Sequence, residues 1–160
     1  MIKLNRTTEY GLIALKHISQ THSESSDPVS AREIADTYGL PFEITAKTLQ
    51  RLKESGLIRS VQGVRGGYTL GKDVFGVSLS QFIDFMEGKA GVVACCEKAG
   101  TSPTPETSQD RCEYQPKCEI HPLMKELNGR IRNFLSEISL GDLLLMSESA
   151  KKESCHGRCI

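Results

Sequence analysis

The chain has 160 residues, a length that suits one domain or a small domain with an appendage. Its 38% hydrophobic and 25% charged residues are typical of a globular protein and exclude wholesale disorder. Twenty basic residues balance twenty acidic ones, which excludes a polybasic nucleic-acid-binding chain but allows a locally basic face. No apolar run approaches the roughly 20 residues of a membrane span, and the first residues lack the apolar core of a signal peptide. We therefore expect a cytoplasmic protein that does not bind a membrane.

Three helices are predicted in the first 56 residues. The first is capped by Thr7 or Thr8 and carries apolar residues at helical spacing. The second opens on a capping box, with Ser30 at the cap and Glu33 three residues later. Pro41 suits the first turn of the third helix. The inward-facing residues of this third helix are expected to be Ile44, Thr48, Leu49 and Leu52.

A β-hairpin and a fourth helix follow. Residues 57–70 predict two strands joined by a glycine-rich turn. Ser78 and Gln81 have the spacing of a second capping box, which opens the fourth helix. The order helix, helix–turn–helix, hairpin and helix is typical of a winged helix–turn–helix, in which the hairpin is the wing. We therefore predict a mainly α fold with a DNA-binding domain over residues 1–90.

The remaining residues divide into three segments. Residues 91–121 contain four cysteines and a Pro/Thr-rich stretch, which predicts a cysteine-containing loop. Residues 122–146 predict a long helix and a short terminal helix, and residues 147–160 predict a flexible tail. The long helix carries a wide apolar stripe that requires a partner surface, which indicates a dimerisation helix. The stripe consists of Leu123, Leu127, Ile131, Phe134, Leu135 and Ile138.

Positive charge concentrates on the third helix and the hairpin. Residues 40–65 hold five basic residues and two glutamates, which gives this stretch a net charge of +3. Basic side chains neutralise DNA phosphates, and the second helix of a helix–turn–helix presents its N-terminal residues to base edges in the major groove. The candidate DNA-binding residues are Pro41, Phe42, Glu43, Thr45, Ala46, Lys47, Gln50, Arg51, Arg59, Gln62 and Arg65.

Some of these residues have specific expected contacts. Glu43 can accept a hydrogen bond from a cytosine amino group, and Ala46 or the methyl group of Thr45 can touch a thymine methyl. Gln62 and Arg65 at the wing can reach a minor groove, where arginine is favoured. The alternative is that the basic residues form only the solvated face of an amphipathic helix. The ordered set of elements favours double-stranded DNA as the partner.

A second constellation, Cys-x5-Cys-x2-His, lies directly before the long helix and consists of Cys112, Cys118 and His121. Cys95 or Cys96 can supply a third sulfur. In a reducing compartment, clustered cysteines more often bind metal than form disulfides. Thiolates with one histidine suit an iron–sulfur cluster or zinc, and the absence of paired Cys-x2-Cys knuckles favours the cluster. The alternative is inert cysteines with the histidine as a helix cap.

Three segments carry a resemblance to a known family: residues 6–12 (RTTEYGL), the wing over 61–70 (VQGVRGGYTL) and residues 139–144 (SLGDLL). Together they resemble the IscR/NsrR family of bacterial winged-helix regulators, which sense iron–sulfur status, nitric oxide or redox stress. The resemblance covers about residues 1–145. It implies a homodimer, crossed through the long helix, with a cluster near the dimer interface.

The resemblance also implies a ligand set. In IscR-like members, three cysteines and a histidine that is separated from the last cysteine by two residues hold a [2Fe–2S] cluster. In NsrR-like members, an acidic residue of the first helix completes the ligation, and Glu9 occupies that place here. The implied ligands are Cys96, Cys112, Cys118 and His121, with Cys95 and Glu9 as alternatives. The fourth ligand bears on the cluster type, for which we favour [2Fe–2S] over [4Fe–4S].

The sequence departs from the family pattern in the cysteine segment and has an additional cysteine pair in its tail. Two adjacent cysteines, Cys95 and Cys96, leave the first ligand ambiguous, with Cys96 preferred. Cys96 and Cys112 are 16 positions apart, a longer spacing than the family shows. Cys155 and Cys159 have no counterpart in the family pattern. The alternatives for this pair are a tail dithiol, a metal site or no function.

The function expected from the sequence is a cluster-binding transcriptional regulator, more specifically a repressor, without enzymatic activity or a small-molecule substrate. One alternative is a zinc-stabilised winged-helix protein that does not sense a cluster. A thiol redox protein is less favoured because the chain has no Cys-x-x-Cys motif.

Overall fold

The computed structural model describes residues 4–25, 27–63, 66–71, 74–88 and 117–150. In these residues the elements are α1 (Arg6–Glu24), α2 (Ala31–Tyr38), α3 (Phe42–Glu54), β1 (Ile58–Val61), β2 (Gly67–Leu70), α4 (Leu79–Glu87), α5 (His121–Glu137) and α6 (Leu140–Ala150), with a 3₁₀ turn over Val74–Gly76. This order confirms the predicted mainly α fold with a small hairpin.

Two capping boxes determine where α2 and α4 begin, as predicted. The Ser30 hydroxyl accepts from the Glu33 backbone N–H at 3.1 Å, and the Glu33 carboxylate accepts from the Ser30 backbone N–H at 3.4 Å. Ser78 and Gln81 make the same reciprocal pair at 3.2 and 2.9 Å. Each box satisfies two backbone donors that the first helical turn leaves without a partner.

The cap of α1 differs from the prediction. Asn5, with an extended backbone, precedes the helix, and its side chain accepts a hydrogen bond from the Thr7 backbone N–H at 3.4 Å. Thr7 and Thr8 therefore lie inside the first turn, and Thr8 is fully buried. The prediction that one of these threonines caps the helix was wrong.

The core lies where α1, α3 and α4 meet the hairpin. On α3 the buried positions are Thr45, Thr48, Leu49 and Leu52, at the spacing of one helical face. Ile44 is 42% exposed, so its predicted inward position was wrong. The large, fully buried side chains of the core include Leu15, Ile18, Leu49, Leu52, Ile58 and Phe82.

The hairpin is antiparallel, with Ile58 opposite Leu70 and Val61 opposite Gly67. It is held to the loop before α2 because Val29 and Tyr68 exchange two backbone hydrogen bonds, at 2.9 and 2.8 Å. A Cβ atom at Gly67 would lie 2.6 Å from the Val29 carbonyl oxygen, so this close approach requires glycine. The wing is thereby fixed to the helix–turn–helix.

Helix α6 is longer than predicted and packs onto the DNA-binding domain. The Leu140 N–H donates to the Val77 carbonyl and the Leu79 N–H donates to the Ile138 carbonyl, both at 2.8 Å. Leu140 and Leu144 are buried in the core. The helix continues to Ala150, into the segment predicted to be a flexible tail, whereas Cys155 and Cys159 lie outside the described residues. No helix in the described part of the chain is long and apolar enough to cross a membrane.

Candidate nucleic-acid interface and cysteine segment

The N-terminal half of α3 presents the side chains predicted to read DNA. Pro41 precedes the helix without a side-chain cap, and Phe42 is 46% exposed. Ala46, which also lies in this half of the helix, is half-buried. The other exposed candidates on this helix include Glu43, Lys47 and Gln50. They recur at helical spacing and form one face, with a carboxylate, a cation and an amide available to a partner.

Three candidates on α3 make contacts within the protein. Thr45 is 1% exposed and its hydroxyl donates to the Pro41 carbonyl at 3.0 Å, so the prediction that its methyl group touches a base was wrong. Arg51 is exposed, yet its Nη1 donates a hydrogen bond to the Met86 carbonyl oxygen at the end of α4, at 3.0 Å. The Gln50 amide donates to Glu54 at 3.4 Å.

The hairpin contributes an exposed Arg59 on β1 and an exposed Gln62 directly after it. Arg65, the predicted minor-groove cation, lies outside the described residues. The described part of the hairpin therefore carries a cation on β1 and an amide directly after this strand.

Arg32 on α2 is a candidate that the sequence reasoning missed. Its guanidinium carbon lies 5.1 Å from the centroid of the Phe42 ring, a cation–π contact between the two helices of the helix–turn–helix. Both residues are exposed. In a helix–turn–helix the first helix crosses the DNA backbone, so the basic residue near the start of α2 could have been predicted as a phosphate contact. Arg32 precedes the basic stretch over residues 40–65.

Two of the predicted cluster ligands lie in one turn at the start of α5. The His121 backbone N–H donates to the Cys118 carbonyl at 3.3 Å, and both residues are half-buried. Cys95, Cys96 and Cys112 lie outside the described residues. Within residues 4–25, 27–63, 66–71, 74–88 and 117–150, no group of three or more His, Cys, Asp or Glu residues is placed to hold a metal ion.

The alternative ligand Glu9 is exposed in the first turn of α1. The start of α1 lies against the end of α4, because the Glu87 carboxylate accepts hydrogen bonds from the Asn5 backbone N–H at 2.8 Å and from the Thr8 hydroxyl. Gly88, the next residue, is the last one described before the cysteine-containing segment. The fold thus brings the helix that carries Glu9 next to the point where this segment begins.

The predicted dimerisation stripe on α5 is largely uncovered. Leu123 and Phe134 are each 62% exposed and Leu127 is 44% exposed, whereas the other stripe residues are half-buried. Those half-buried residues are Ile131, Leu135 and Ile138. One contact that holds α5 to the DNA-binding domain is an ion pair between Arg132 Nη2 and Asp84 Oδ2, at 2.6 Å. The described residues leave this apolar surface open to a partner.

Known proteins are similar to this chain over most of its length. Residues 4–145 match the model of the Rrf2 family, described as iron-dependent transcriptional regulators. The chain belongs to the Rrf2 family. This Rrf2-family chain is 29% identical over 147 residues to the HTH-type transcriptional regulator IscR of Vibrio vulnificus, covering 92% of this chain and 80% of that relative. The IscR of Escherichia coli O1:K1 is 28% identical over 143 residues, or 89% and 80% of the two chains.

Solved structures have the same fold. The Rrf2-family chain matches T. potens IscR with a TM-score of 0.63 at 21% identity, over 97% of this chain and 93% of that one. It matches CymR, the global cysteine regulator of B. subtilis, with a TM-score of 0.63 at 22% identity, over 91% and 98%. The chain is therefore a DNA-binding transcriptional regulator of the winged-helix type and not an enzyme.

Proposed function

We propose that this Rrf2-family chain is a homodimeric repressor whose binding to operator DNA responds to the state of an iron–sulfur cluster. The observation that carries the proposal is the turn that places Cys118 and His121 together at the start of α5, the helix with the uncovered apolar stripe. The cluster, [2Fe–2S] in preference to [4Fe–4S], would be held by Cys96, Cys112, Cys118 and His121, with Cys95 and Glu9 as alternative ligands.

The donor chemistry of this turn fits such a group. A thiol and an imidazole separated by two residues suit iron, and the N-terminal end of α5 favours negative charge on a nearby thiolate. When bound, the cluster supplies a centre that reacts with oxidants and nitric oxide. Cys118 and His121 would hold it at the start of α5, the helix that carries the predicted dimer stripe.

On the DNA side, α3 occupies the major groove and the wing approaches the minor groove. Glu43, Ala46 and Lys47 lie on the exposed or half-buried face that would meet base edges and phosphates. Arg59, Gln62 and Arg65 belong to the wing, where a cation favours a narrow minor groove. A dimer would place two such heads on half-sites about 34–36 Å apart.

The test of the proposal is a spectrum and a binding curve. Protein purified without oxygen is expected to be brown, with visible absorption and a Mössbauer signal that gives the cluster type. Its operator affinity is measured with and without the cluster at one fixed salt concentration, because salt alone shifts such affinities. A colourless protein containing stoichiometric zinc would replace the cluster proposal with the zinc-stabilised alternative.

Replacing Glu43 by alanine is expected to relax base preference more than it lowers affinity. A carboxylate at a base edge accepts a hydrogen bond from cytosine and disfavours other bases, which contributes roughly 1–3 kcal/mol of discrimination. The measurement is binding to the operator and to a set of single-base variants. Unchanged selectivity would show that Glu43 does not read a base. Glu137→Ala, which removes the same charge from an exposed position at the end of α5, is the matched control.

Replacing Arg32 by alanine is expected to weaken binding to all DNA sequences alike. The Phe42 ring holds the Arg32 guanidinium beside the turn of the helix–turn–helix, where the phosphate backbone would pass. Loss of one phosphate contact lowers the slope of log affinity against log salt concentration by about one. Arg130→Ala, which removes the same charge from an exposed position on α5, is the control and should leave the slope unchanged. An unaltered slope in Arg32→Ala would exclude the phosphate contact.

A further inference from the structure

The C-terminal end of α4 is hydrogen-bonded to two other helices. The Met86 carbonyl accepts from Arg51 Nη1 of α3, and the Glu87 carboxylate accepts from Asn5 and Thr8 at the start of α1. Both α4 residues directly precede Gly88, after which the chain enters the segment with Cys95, Cys96 and Cys112. These hydrogen bonds therefore lie at the end of α4 that continues along the chain into that segment.

Helix α4 is anchored both in the core and to α5. Phe82 and Met86 are buried in the core, and Asp84 pairs with Arg132 of α5 at 2.6 Å. Charge-assisted hydrogen bonds of this kind are stronger than neutral ones, and packed elements shift between discrete arrangements instead of deforming. Helix α4 thus connects the helix with the dimer stripe to the helix that reads DNA.

The contact of Arg51 has a local physical reason. Met86 is the penultimate residue of α4, and the last carbonyls of a helix have no partner within the helix and carry partial negative charge. The guanidinium satisfies one of these carbonyls and complements the negative end of the helix. This use of Nη1 turns the exposed guanidinium toward the end of α4, whereas a phosphate contact needs it to face DNA.

We propose that Arg51 is a positioning residue, which couples the orientation of the recognition helix α3 to the end of α4 and hence to the cysteine segment. This inference rests on the proposed cluster-dependent function and assigns one route by which the cluster acts. It reassigns a residue that charge patterning alone would place among the phosphate contacts. The coupling passes through the Met86 carbonyl, with Glu87 fixing the same end of α4 to α1.

The experiment compares full-length dimers with and without the cluster. Wild type, Arg51→Ala and the control Lys53→Ala, an exposed cation on the same helix, are purified without oxygen, and operator affinity is measured at several salt concentrations. In the wild type, the two states are expected to differ at least about fivefold. In Arg51→Ala, the ratio is expected to fall below about twofold with an unchanged salt slope, whereas Lys53→Ala keeps the ratio.

A phosphate contact gives the opposite pattern. If Arg51→Ala retains the wild-type ratio while the salt slope falls by about one, the residue contacts DNA and the proposal is wrong. Visible absorption distinguishes a failure of the cluster proposal from a failure of this inference alone. A colourless wild type overturns the cluster proposal and this inference together, whereas a brown wild type with an unaltered ratio in Arg51→Ala overturns this inference alone.

A second variant covers the case in which Arg51→Ala does not fold. Thr8→Val preserves the shape of a buried side chain and removes only the hydroxyl that donates to Glu87. It is expected to reduce the ratio between the two states as well, because it loosens the same end of α4. A folded Thr8→Val dimer with the full wild-type ratio would also count against the proposal.

Discussion

Replacing Cys118 by alanine is expected to abolish the visible absorption of the anaerobically purified protein while leaving a folded dimer, and Cys112→Ala is expected to do the same. Cluster assembly needs each thiolate, and water does not replace a sulfur ligand with comparable affinity. Cys118 is half-buried in the turn before α5 and belongs to none of the buried core positions, so its loss costs little packing. Absorption, iron content, circular dichroism and size-exclusion chromatography measure these outcomes.

Controls identify the ligand set. Cys155→Ala, in the tail that has no counterpart in the family pattern, should retain full absorption. His121→Ala and Glu9→Ala form a discriminating pair, because only the true fourth ligand should change the spectrum when it is removed. Retained absorption in Cys112→Ala or Cys118→Ala would contradict the assignment of that cysteine.

The elements that the sequence predicted well are those determined by local hydrogen bonds. The capping boxes at Ser30 and Ser78 involve residues three apart, so the pattern contains the whole interaction. The rotation of α3 about its axis is different, because it depends on how the helix packs against α1 and the hairpin. That packing places Thr45 inside and Ile44 outside, although isoleucine is the more hydrophobic residue.

The same distinction between local sequence patterns and tertiary packing applies to the candidate site. The order of elements and the local charge predict that α3 reads DNA, and α3 presents Glu43 and Lys47 at the surface. The partners of individual arginines could not be predicted, since Arg51 meets a carbonyl 35 residues away and Arg32 meets a ring on the next helix. These contacts arise from tertiary proximity. The metal ligand set stays a prediction, because only part of it lies within the described residues.

Replacing Phe134 by aspartate is expected to convert the dimer into a monomer and to lower operator affinity at least about a hundredfold. Phe134 is 62% exposed in the single chain, in the C-terminal half of the stripe on α5. Burying such a ring contributes about 1.5–3 kcal/mol, and a two-fold interface contains it twice. A carboxylate also adds a desolvation cost. Since about 1.4 kcal/mol is a factor of ten, the combined loss of at least about 3 kcal/mol gives the hundredfold change.

The matched control is Asn133→Asp, which adds the same charge at the neighbouring exposed position outside the stripe. It should leave both the dimer and the operator affinity close to wild type. Sedimentation analysis gives the oligomeric state and a titration with operator DNA gives the affinity. A monomer must assemble on the DNA at the expense of binding free energy, so the two losses should appear together. A Phe134→Asp protein that remains a dimer with full affinity would place the interface elsewhere, and a monomer with full affinity would show that one head suffices for the operator.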